Sequence, residues 1–373
     1  MTVSTTSRHT ALHEQHAALG ASFTDFGGWD MPLKYASELA EHRAVRQTAG
    51  LFDLSHMGEV RVLGPDAGTF LNTALVGNLA AMAVGRAKYS LICTPEGGII
   101  DDLISYRLAQ NEYLVVPNAG NAPAVVAALE ERAADFDVAI VNESAETSLV
   151  AVQGPAAEAL VLELVPAAQQ ELVTGLRYYA ATAVPVAGTP VLLARTGYTG
   201  EDGFELYVPN AQAASLWDAL LETGQGHGLI PCGLASRDSL RLEAGMPLYG
   251  QELSRQTDPF SAGLGAVVSF KKQENFIGRP ALEAMRACGT PRRLVGLKGL
   301  GRRAGRSHYR VLKNGTVVGE VTSGAPSPTL GYPIALAYVE SEFTELGTTL
   351  EVDLRGKAEP FEVVPLPFYH RHK

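Results

Sequence analysis

The chain has 373 residues, 46% hydrophobic and 19% charged, which is typical of a globular protein with two or three domains. Its formal net charge of −10 argues against a nucleic-acid backbone as a partner. Three cysteines at unrelated spacings, and histidines without ligand spacing, argue against a disulfide framework and a metal site. No apolar run reaches the roughly 18 residues of a membrane span, and the N-terminus lacks an apolar signal-peptide core. We therefore expect a cytoplasmic protein without membrane contact.

The charge is unevenly distributed along the chain. Residues 270–373 contain 16 Lys and Arg against 10 Asp and Glu, which gives +6, so the remaining residues carry −16. Within residues 286–313 there are nine basic residues and no acidic one. This basic segment is either a solvated surface or a docking patch for an acidic partner, and composition alone does not decide between them.

Short helical and strand patterns alternate in the first half, which predicts an α+β fold. Ser37 can cap a helix that runs to about Ala49 and stops at Gly50. The glycines at 97–98 lead into a strand, and a second strand follows at 113–116. These patterns indicate helices packed on a small sheet.

Three further helices are predicted towards the middle of the chain. Residues 122–133 form the first, with a proline in its first turn. The second ends at Gly224, and its apolar residues recur on one face: Ala213, Leu216, Trp217 and Leu220. Ser236 can cap the third, at 237–244, which Gly245 ends.

The chain changes character after about residue 272. Asn314 and Gly315 separate two short apolar runs, which is the strongest local signal of a β-hairpin because both turn residues need positive φ. Several short strands with Gly and Pro between them follow. We expect a separate β-barrel-like domain, with its boundary at about residues 272–290.

Two adjacent carboxylates, Asp101 and Asp102, are the first candidates for chemistry. Neighbours on a strand point to opposite faces, so only one of the pair can face a given pocket. Asp102 shares its face with Ile104 and Tyr106, an aromatic that could stack on a flat ligand, and we favour it for that reason. The alternative is that both acids serve only as turn or cap groups.

A glycine-rich loop at 196–206 is the second candidate. Three glycines in seven residues, Gly197, Gly200 and Gly203, predict a sharply bent backbone that approaches something closely. The spacing fits neither a P-loop nor a dinucleotide fingerprint. Glu205 follows the loop, and its carboxylate could accept two N–H bonds from the amino-pyrimidine edge of a pterin. An exposed hairpin acid is the alternative.

Arg237 and Arg241 are the third candidate, four residues apart on one face of the predicted helix. An arginine that points into a cleft could hold a carboxylate with its planar guanidinium. A surface helix with ion pairs is the alternative.

These motifs, in this order, resemble the glycine cleavage T-protein family nearly end to end. The matching stretches are DFGGWDMPL (25–33), FDLSHMG (52–58), GGIIDDLISY (97–106), TGYTGEDGFEL (196–206), ASRDSLRLEAGMPLYGQE (235–252), TSGAPSPTLG (322–331) and PFY (367–369). Each stretch alone is modest evidence, whereas the ordered set is specific.

The resemblance implies an α+β fold with three domains arranged as a cloverleaf around a central channel that holds folate. It implies a folate-binding region at 1–275, made of two intertwined domains at about 1–50 plus 145–275 and 51–144. A C-terminal β-barrel domain would occupy residues 285–373.

The resemblance also implies roles for individual residues. Asp102 would be the catalytic acid beside the reacting N5/N10 edge of folate. Glu205 would bind the pterin ring, and Arg237 would contact other polar groups of folate. The remaining implied cofactor-binding positions are Tyr89, Met57, Tyr106, Val116, Asn118, Tyr178 and Arg371.

The implied reaction is an aminomethyltransferase reaction with tetrahydrofolate as co-substrate. The methylene of an aminomethyl group on the lipoyl arm of H-protein passes to tetrahydrofolate, which yields ammonia and 5,10-methylenetetrahydrofolate. The implied partners are lipoylated H-protein, which is acidic and could dock on the basic segment 286–313, and the other glycine cleavage components.

Two alternatives remain open. One is a folate-dependent demethylase of the same fold, although nothing in the chain could house the flavin domain that such relatives often carry. The other is a non-catalytic folate-binding protein of iron–sulfur assembly. Its Lys-Gly-Cys-Tyr-x-Gly-Gln-Glu signature is not matched, because residues 249–252 lack the preceding Lys-Gly-Cys.

Overall fold

The structure, a computed structural model, describes residues 7–371. Its α-helices are α1 (His13–Ala18), α2 (Glu38–Gln47), α3 (Ala67–Ala74), α4 (Ala122–Arg132), α5 (Ala157–Leu164), α6 (Gln170–Thr174), α7 (Asn210–Gly224), α8 (Leu234–Glu243) and α9 (Arg279–Cys288). Its strands are β1 (Ser22–Phe26), β2 (Trp29–Lys34), β3 (Ala49–Asp53), β4 (Val60–Leu63), β5 (Ala87–Cys93), β6 (Ile99–Ala109), β7 (Glu112–Pro117), β8 (Ala139–Asn142), β9 (Thr147–Gln153), β10 (Ala181–Val186), β11 (Thr189–Ala194), β12 (Gly203–Pro209), β13 (Leu229–Pro231), β14 (Arg292–Gly299), β15 (Arg310–Lys313), β16 (Thr316–Pro326), β17 (Pro333–Glu340), β18 (Thr349–Asp353) and β19 (Ala358–Val364).

The chain forms two compact units. The first contains the described residues up to Phe70, with Ala81–Lys88 and Ile104–Asp238; the second contains Leu71–Ala80, Tyr89–Leu103 and the described residues from Ser239 onward. The division passes through α3, β5, β6 and α8, so each of these elements contributes residues to both units. A five-stranded sheet in the order β5-β6-β7-β4-β8 includes both divided strands.

A six-stranded sheet in the order β10-β11-β12-β9-β3-β13 forms the framework of the first unit. Strand β12 lies between β11 and β9, and both pairings are antiparallel. Helix α7 packs on this sheet through the predicted apolar face, whose four residues are fully buried. Burial of this face stabilises the helix by removing apolar surface from water.

A closed barrel in the order β14-β17-β16-β15-β18-β19 forms most of the C-terminal part of the second unit. Strand β14 pairs with both β17 and β19, which closes the barrel and leaves no open sheet edge. Asn314 and Gly315 join β15 to β16 with φ of 51° and 79°. The predicted hairpin, the barrel and the α+β class are therefore confirmed.

The predicted end of the first helix was wrong. Ser37 does cap α2, since its Oγ accepts from the Ala40 N–H at 3.4 Å, but the helix ends at Gln47. Gly50 lies inside strand β3, where a Cβ would collide with Val45 and Cys232. The glycine is needed for close packing of the strand and does not stop a helix.

The predicted start of the helix at 237–244 was also wrong. Helix α8 begins at Leu234, and the Ser236 hydroxyl donates to the Gly233 carbonyl at 2.9 Å. This bond turns back into the preceding turn, so Ser236 lies within the helix and does not cap it.

Among residues 7–371, no helix combines the length and apolar character that a membrane span requires.

Candidate active site

In the first unit, the glycine-rich loop is packed on Gln153, the last residue of β9. The Gln153 side chain donates to the Thr196 carbonyl at 3.0 Å and accepts from the Thr199 hydroxyl at 2.9 Å. A Cβ at Gly197 or Gly203 would collide with Gln153, which explains why the backbone must be glycine there. The loop is thereby fixed against the sheet immediately before β12.

Strand β12 carries Glu205 into a cluster of hydroxyl groups. The Thr196 hydroxyl donates to Glu205 Oε2, and the Tyr106 hydroxyl donates to the same oxygen at 3.4 Å. The Tyr106 and Thr196 hydroxyls are 2.9 Å apart, and the Tyr207 hydroxyl donates to that of Tyr106 at 3.3 Å. We call Thr196, Tyr106, Tyr207, Glu205 and Arg237 the Glu205 cluster.

The charge of Glu205 is set by opposing effects. Burial raises its pKa above the ordinary range, while the Thr196 and Tyr106 hydrogen bonds and the charge of Arg237 act in the opposite direction. Burial also raises the pKa of Tyr106 and Tyr207 well above the usual value, so both hydroxyls stay protonated as donors. The cluster can therefore stabilise one carboxylate with neutral hydroxyls.

Arg237 lies in the first turn of α8, with its guanidinium 4.7 Å from the centre of the Tyr198 ring. Among residues 7–371 this guanidinium makes no hydrogen bond, although it interacts electrostatically with Glu205. Burial lowers its pKa, but the group stays charged because arginine starts from so high a value. Its planar donors remain free to bind an anionic or carbonyl group.

Four other predicted positions lie in the first unit. Met57 lies between β3 and β4, partly buried. Val116 is buried in β7, and the Asn118 carbonyl accepts from the Asn121 and Ala122 N–H groups, both at 2.9 Å. Tyr178 is 43% exposed and packs edge-on against Tyr179. Tyr106, by contrast, bonds directly to Glu205 through its hydroxyl.

In the second unit, β5 and β6 bring Tyr89 and Asp102 together. The Tyr89 hydroxyl donates to Asp102 Oδ2 at 3.0 Å. Asp101 is fully buried, whereas Asp102 is partly exposed. This alternation agrees with the strand geometry on which the choice of Asp102 rested.

The turn before β6 is fixed by groups of the second unit. The Tyr249 hydroxyl donates to the Ile99 carbonyl at 3.0 Å, and the Ile99 N–H donates to carbonyls of Ser254 and Thr257. Arg371, the remaining predicted residue, is partly buried at the end of the described chain.

Two family models match the chain. The GCVT N-terminal domain matches residues 12–272, and the glycine cleavage T-protein C-terminal barrel domain matches residues 292–370. The chain belongs to the glycine cleavage T-protein family. The family predicted from the motifs is thus confirmed.

Relatives in this T-protein family extend over the whole chain. An aminomethyltransferase of Streptomyces avermitilis is 57% identical over 98% of both chains, and one of Bacillus subtilis is 43% identical over 98% of this chain and 99% of its own. The crystal structure of glycine cleavage system aminomethyltransferase T from Bartonella henselae matches with a TM-score of 0.91 at 37% identity, over 98% of both chains. The predicted enzyme class, an aminomethyltransferase, is confirmed.

Membership of the T-protein family supports two general conclusions. Folate is a substrate, and the protein works with H-protein and the other glycine cleavage components. The domain limits of 1–275 (1–50 plus 145–275, and 51–144) and 285–373, the individual site residues and the cytoplasmic location stay predictions.

Four residues around the Glu205 cluster were not predicted from the sequence. They are Thr196, Tyr207, His56 and Glu59. A period of two along β12 could have identified Tyr207, because it lies two residues after Glu205 on the same face. His56 and Glu59 flank Met57, but their burial depends on the fold and has no local signal.

His56 is buried, and the charges of Asp53 and Arg237 act on its ring. Its Nδ1 has no hydrogen-bond partner among the described residues, and its ring packs edge-on against Phe26. Burial, opposed by the charge of Asp53 and assisted by that of Arg237, lowers the pKa of His56 to about 4. His56 is therefore a neutral imidazole at physiological pH.

Within residues 7–371, one group of side chains has ligand atoms close enough to share a metal ion: His9, His13 and Asp30. The two imidazole rings are stacked, with centroids 3.7 Å apart and planes 5° from parallel. Metal ions bind imidazole nitrogens close to the ring plane, so two parallel stacked rings are poorly oriented to share one ion.

Proposed function

We propose that this T-protein transfers the methylene of an aminomethyl group, carried on the lipoyl arm of H-protein, to tetrahydrofolate. The products are ammonia and 5,10-methylenetetrahydrofolate. The observation that supports folate binding most strongly is the Glu205 cluster, which pairs a buried acid with an arginine whose donors are unused. Polar groups with unused hydrogen-bonding capacity are expected where a protein binds a polar ligand.

Glu205 and Arg237 have complementary roles in the proposal. The Glu205 carboxylate accepts two N–H bonds from the amino-pyrimidine edge of the pterin, and the Thr196 and Tyr106 hydroxyls fix its orientation. Arg237 binds a polar group of folate with its free donors. Tyr198 supports the guanidinium from one face and so fixes its plane.

Asp102 handles a proton in the reaction. When ammonia leaves, the carrier's methylene carbon becomes electrophilic, and the two folate nitrogens N5 and N10 bond to it in turn while its bond to the lipoyl sulfur breaks. The two protons that the nitrogens lose go to the departing ammonia and to the lipoyl thiol. The Asp102 carboxylate positions one of these nitrogens and takes up or relays its proton. The hydrogen bond from Tyr89 holds Asp102 Oδ2, which limits the rotation of the carboxylate.

The proposed reaction is tested by measuring ammonia release with each substrate omitted in turn. We expect release to need both the aminomethyl-loaded lipoyl carrier and tetrahydrofolate. Release of formaldehyde from a methylated amine, without carrier, would instead support the demethylase alternative.

We also propose that the basic segment 286–313 docks the acidic carrier. Seven of its arginines are exposed: Arg286, Arg292, Arg293, Arg302, Arg303, Arg306 and Arg310. Such a surface attracts an acidic protein and accelerates its association, with a strong dependence on salt.

Charge reversal at Arg292 and Arg293 tests the docking surface. The double variant to Glu should raise the apparent KM for carrier without changing folate affinity. Arg355→Glu with Lys357→Glu is a matched control, because it makes the same charge change at exposed positions outside the segment. An unchanged KM in the first variant would contradict the docking proposal.

A further inference from the structure

Glu41 is a buried acid of α2 that joins two segments distant in sequence. It is 1% exposed. Its Oε1 accepts from the Tyr35 N–H at 2.8 Å, just after β2, and its Oε2 accepts from the Gly233 N–H at 2.9 Å, one residue before α8. A carboxylate holds a backbone N–H more strongly than a neutral acceptor does, so Glu41 fixes the start of α8.

The start of α8 is packed closely and carries the backbone of Arg237. A Cβ at Gly233 would lie 2.3 Å from the Leu33 carbonyl oxygen of β2. The Gly233 carbonyl accepts from the Arg237 N–H at 3.2 Å and from the Ser236 hydroxyl at 2.9 Å. Arg237 is therefore bonded to the same residue that Glu41 holds.

Helix α2 also holds the loop that carries Tyr198. Arg46 Nη1 donates to the Thr199 carbonyl at 2.7 Å and to Glu201 Oε1 at 2.8 Å, and these two charged side chains are 6% and 4% exposed. Thr199 directly follows Tyr198, whose ring centre lies 4.7 Å from the Arg237 guanidinium. Both partners of this contact are thus attached to one helix through separate bonds.

We propose that Glu41 and Arg46 are positioning residues for folate, which set the place of Arg237 and of the Tyr198 ring on which its guanidinium packs. The inference rests on the proposed role of Arg237 and deepens it. Glu41 acts through Gly233, and Arg46 acts through Thr199. A planar guanidinium needs a defined orientation for its hydrogen bonds, so a small shift of α8 weakens the contact with folate and leaves the transfer step intact.

Glu41→Gln tests the first of these contacts. The amide keeps the shape of the side chain but accepts through one oxygen only, so one of the two backbone bonds is lost. We expect the dissociation constant of tetrahydrofolate to rise roughly ten-fold, while kcat at saturating tetrahydrofolate stays within about two-fold of the wild type. Unchanged affinity, or a kcat that falls as much as the affinity, would overturn the positioning role.

Asp66→Asn is the matched control. The Asp66 carboxylate accepts from the Asp137 N–H at 2.9 Å, so it also joins two distant segments, and its variant makes the same change from acid to amide. The dissociation constant should stay within about two-fold of the wild type. A ten-fold rise in this variant as well would overturn the specific role of Glu41.

The double variant Arg46→Met with Glu201→Gln is a second test, which does not depend on the folding of Glu41→Gln. It removes both bonds from α2 to the loop and leaves no buried charge unpaired. The dissociation constant of tetrahydrofolate should rise roughly three- to ten-fold with kcat retained. Wild-type affinity in this variant would contradict the proposal for α2.

A double-mutant cycle with Arg237→Met decides through which residue Glu41 acts. Once the guanidinium is absent, Glu41→Gln should change the dissociation constant by at most about two-fold. A further ten-fold loss would contradict action through Arg237 and overturn the inference. Wild-type affinity in Arg237→Met itself would instead overturn the proposed role of Arg237 in folate binding, and the positioning role with it.

Discussion

The molecule contains two clusters of polar side chains. In one nearly every polar group is hydrogen-bonded, and in the other several groups are not. In the second unit, the Arg241 guanidinium donates to Glu252 at 3.0 Å, to the Met246 carbonyl at 3.1 Å and to the Ser323 hydroxyl at 2.8 Å. Glu243 accepts from the Ser327 hydroxyl and from the Thr329 hydroxyl and N–H. Only Oε1 of Glu252 lacks a partner among the described atoms of these side chains.

The Glu205 cluster of the first unit differs in the groups that surround it. His56 Nδ1 and both carboxyl oxygens of Glu59 are buried without a hydrogen-bond partner within residues 7–371, and the partly exposed Arg237 guanidinium packs on the Tyr198 ring. A buried polar group costs roughly 1–3 kcal/mol when unpaired, so proteins retain few of them. The comparison teaches that the saturated cluster stabilises the fold, whereas the unpaired groups of the other support the proposal that it binds a ligand.

The largest expected effect comes from Asp102, a partly exposed carboxylate outside both clusters to which we assign the proton transfer. Asp102→Asn should reduce turnover by roughly 10²–10⁴-fold, because the proton acceptor is lost, and should keep tetrahydrofolate binding. Steady-state ammonia release and calorimetric binding measure the two effects. Asp101→Asn is the neighbouring control, and an inactive Asp101→Asn beside a normal Asp102→Asn would mean that the wrong acid was chosen.

Substitutions of the two arginines of α8, Arg237 and Arg241, should have different effects: one should weaken folate binding and the other should lower the stability of the fold. Arg241→Met should lower the free energy of unfolding by roughly 3–5 kcal/mol, because it leaves Glu252 buried without its cation. Arg237→Met should cost at most about 1 kcal/mol of stability, since no hydrogen bond is broken, and should weaken folate binding. Urea unfolding followed by folate titration measures both. Equal losses of stability would remove the distinction between the clusters.

Glu205→Gln should raise the dissociation constant of tetrahydrofolate by roughly 10–100-fold, which corresponds to about 1.5–3 kcal/mol for a charge-assisted hydrogen bond. The amide retains one acceptor but also presents an NH₂ group to the pterin. Binding calorimetry at neutral pH measures the change. Unchanged affinity would mean that Glu205 does not contact the ligand.

His56 should make the smallest contribution, visible only as a pH dependence of stability. The pKa of His56 is about 4 in the folded protein and roughly 6.5 in the unfolded chain. Its contribution to the free energy of unfolding is therefore fully present above about pH 6.5. That contribution is lost as pH falls through this window, by roughly 1–2 kcal/mol between about pH 7 and pH 5. In His56→Gln the decline should be shallower by this amount in urea unfolding; parallel curves would contradict the assignment.

Much of the fold could be predicted because its signals are local. The apolar face of α7, the Ser37 cap and the Asn314-Gly315 turn each depend on a few neighbouring residues, and each was predicted correctly. The errors occurred where glycine or serine serves tertiary packing. Gly50 was predicted to stop a helix, but it packs closely against side chains within a strand. Ser236 was predicted to cap a helix, but its hydroxyl donates to a carbonyl from within the helix.

The site was predictable only in part for the same reason. Glu205 and Asp102 adjoin glycine-led turns, so local patterns and family resemblance together predict them as site residues. His56 and Glu59 differ from ordinary surface residues only through their burial without partners, which the assembled fold creates. The saturation of Arg241 likewise depends on Glu252 and Ser323, which are distant in sequence.

A crystal structure with a reduced folate bound tests the central claim most directly. The account predicts that the amino-pyrimidine edge of the pterin bonds to the Glu205 carboxylate and that the Arg237 guanidinium gains a hydrogen bond to folate. A folate bound elsewhere, with Glu205 still bonded only to Thr196 and Tyr106 and Arg237 still unbonded, would contradict it.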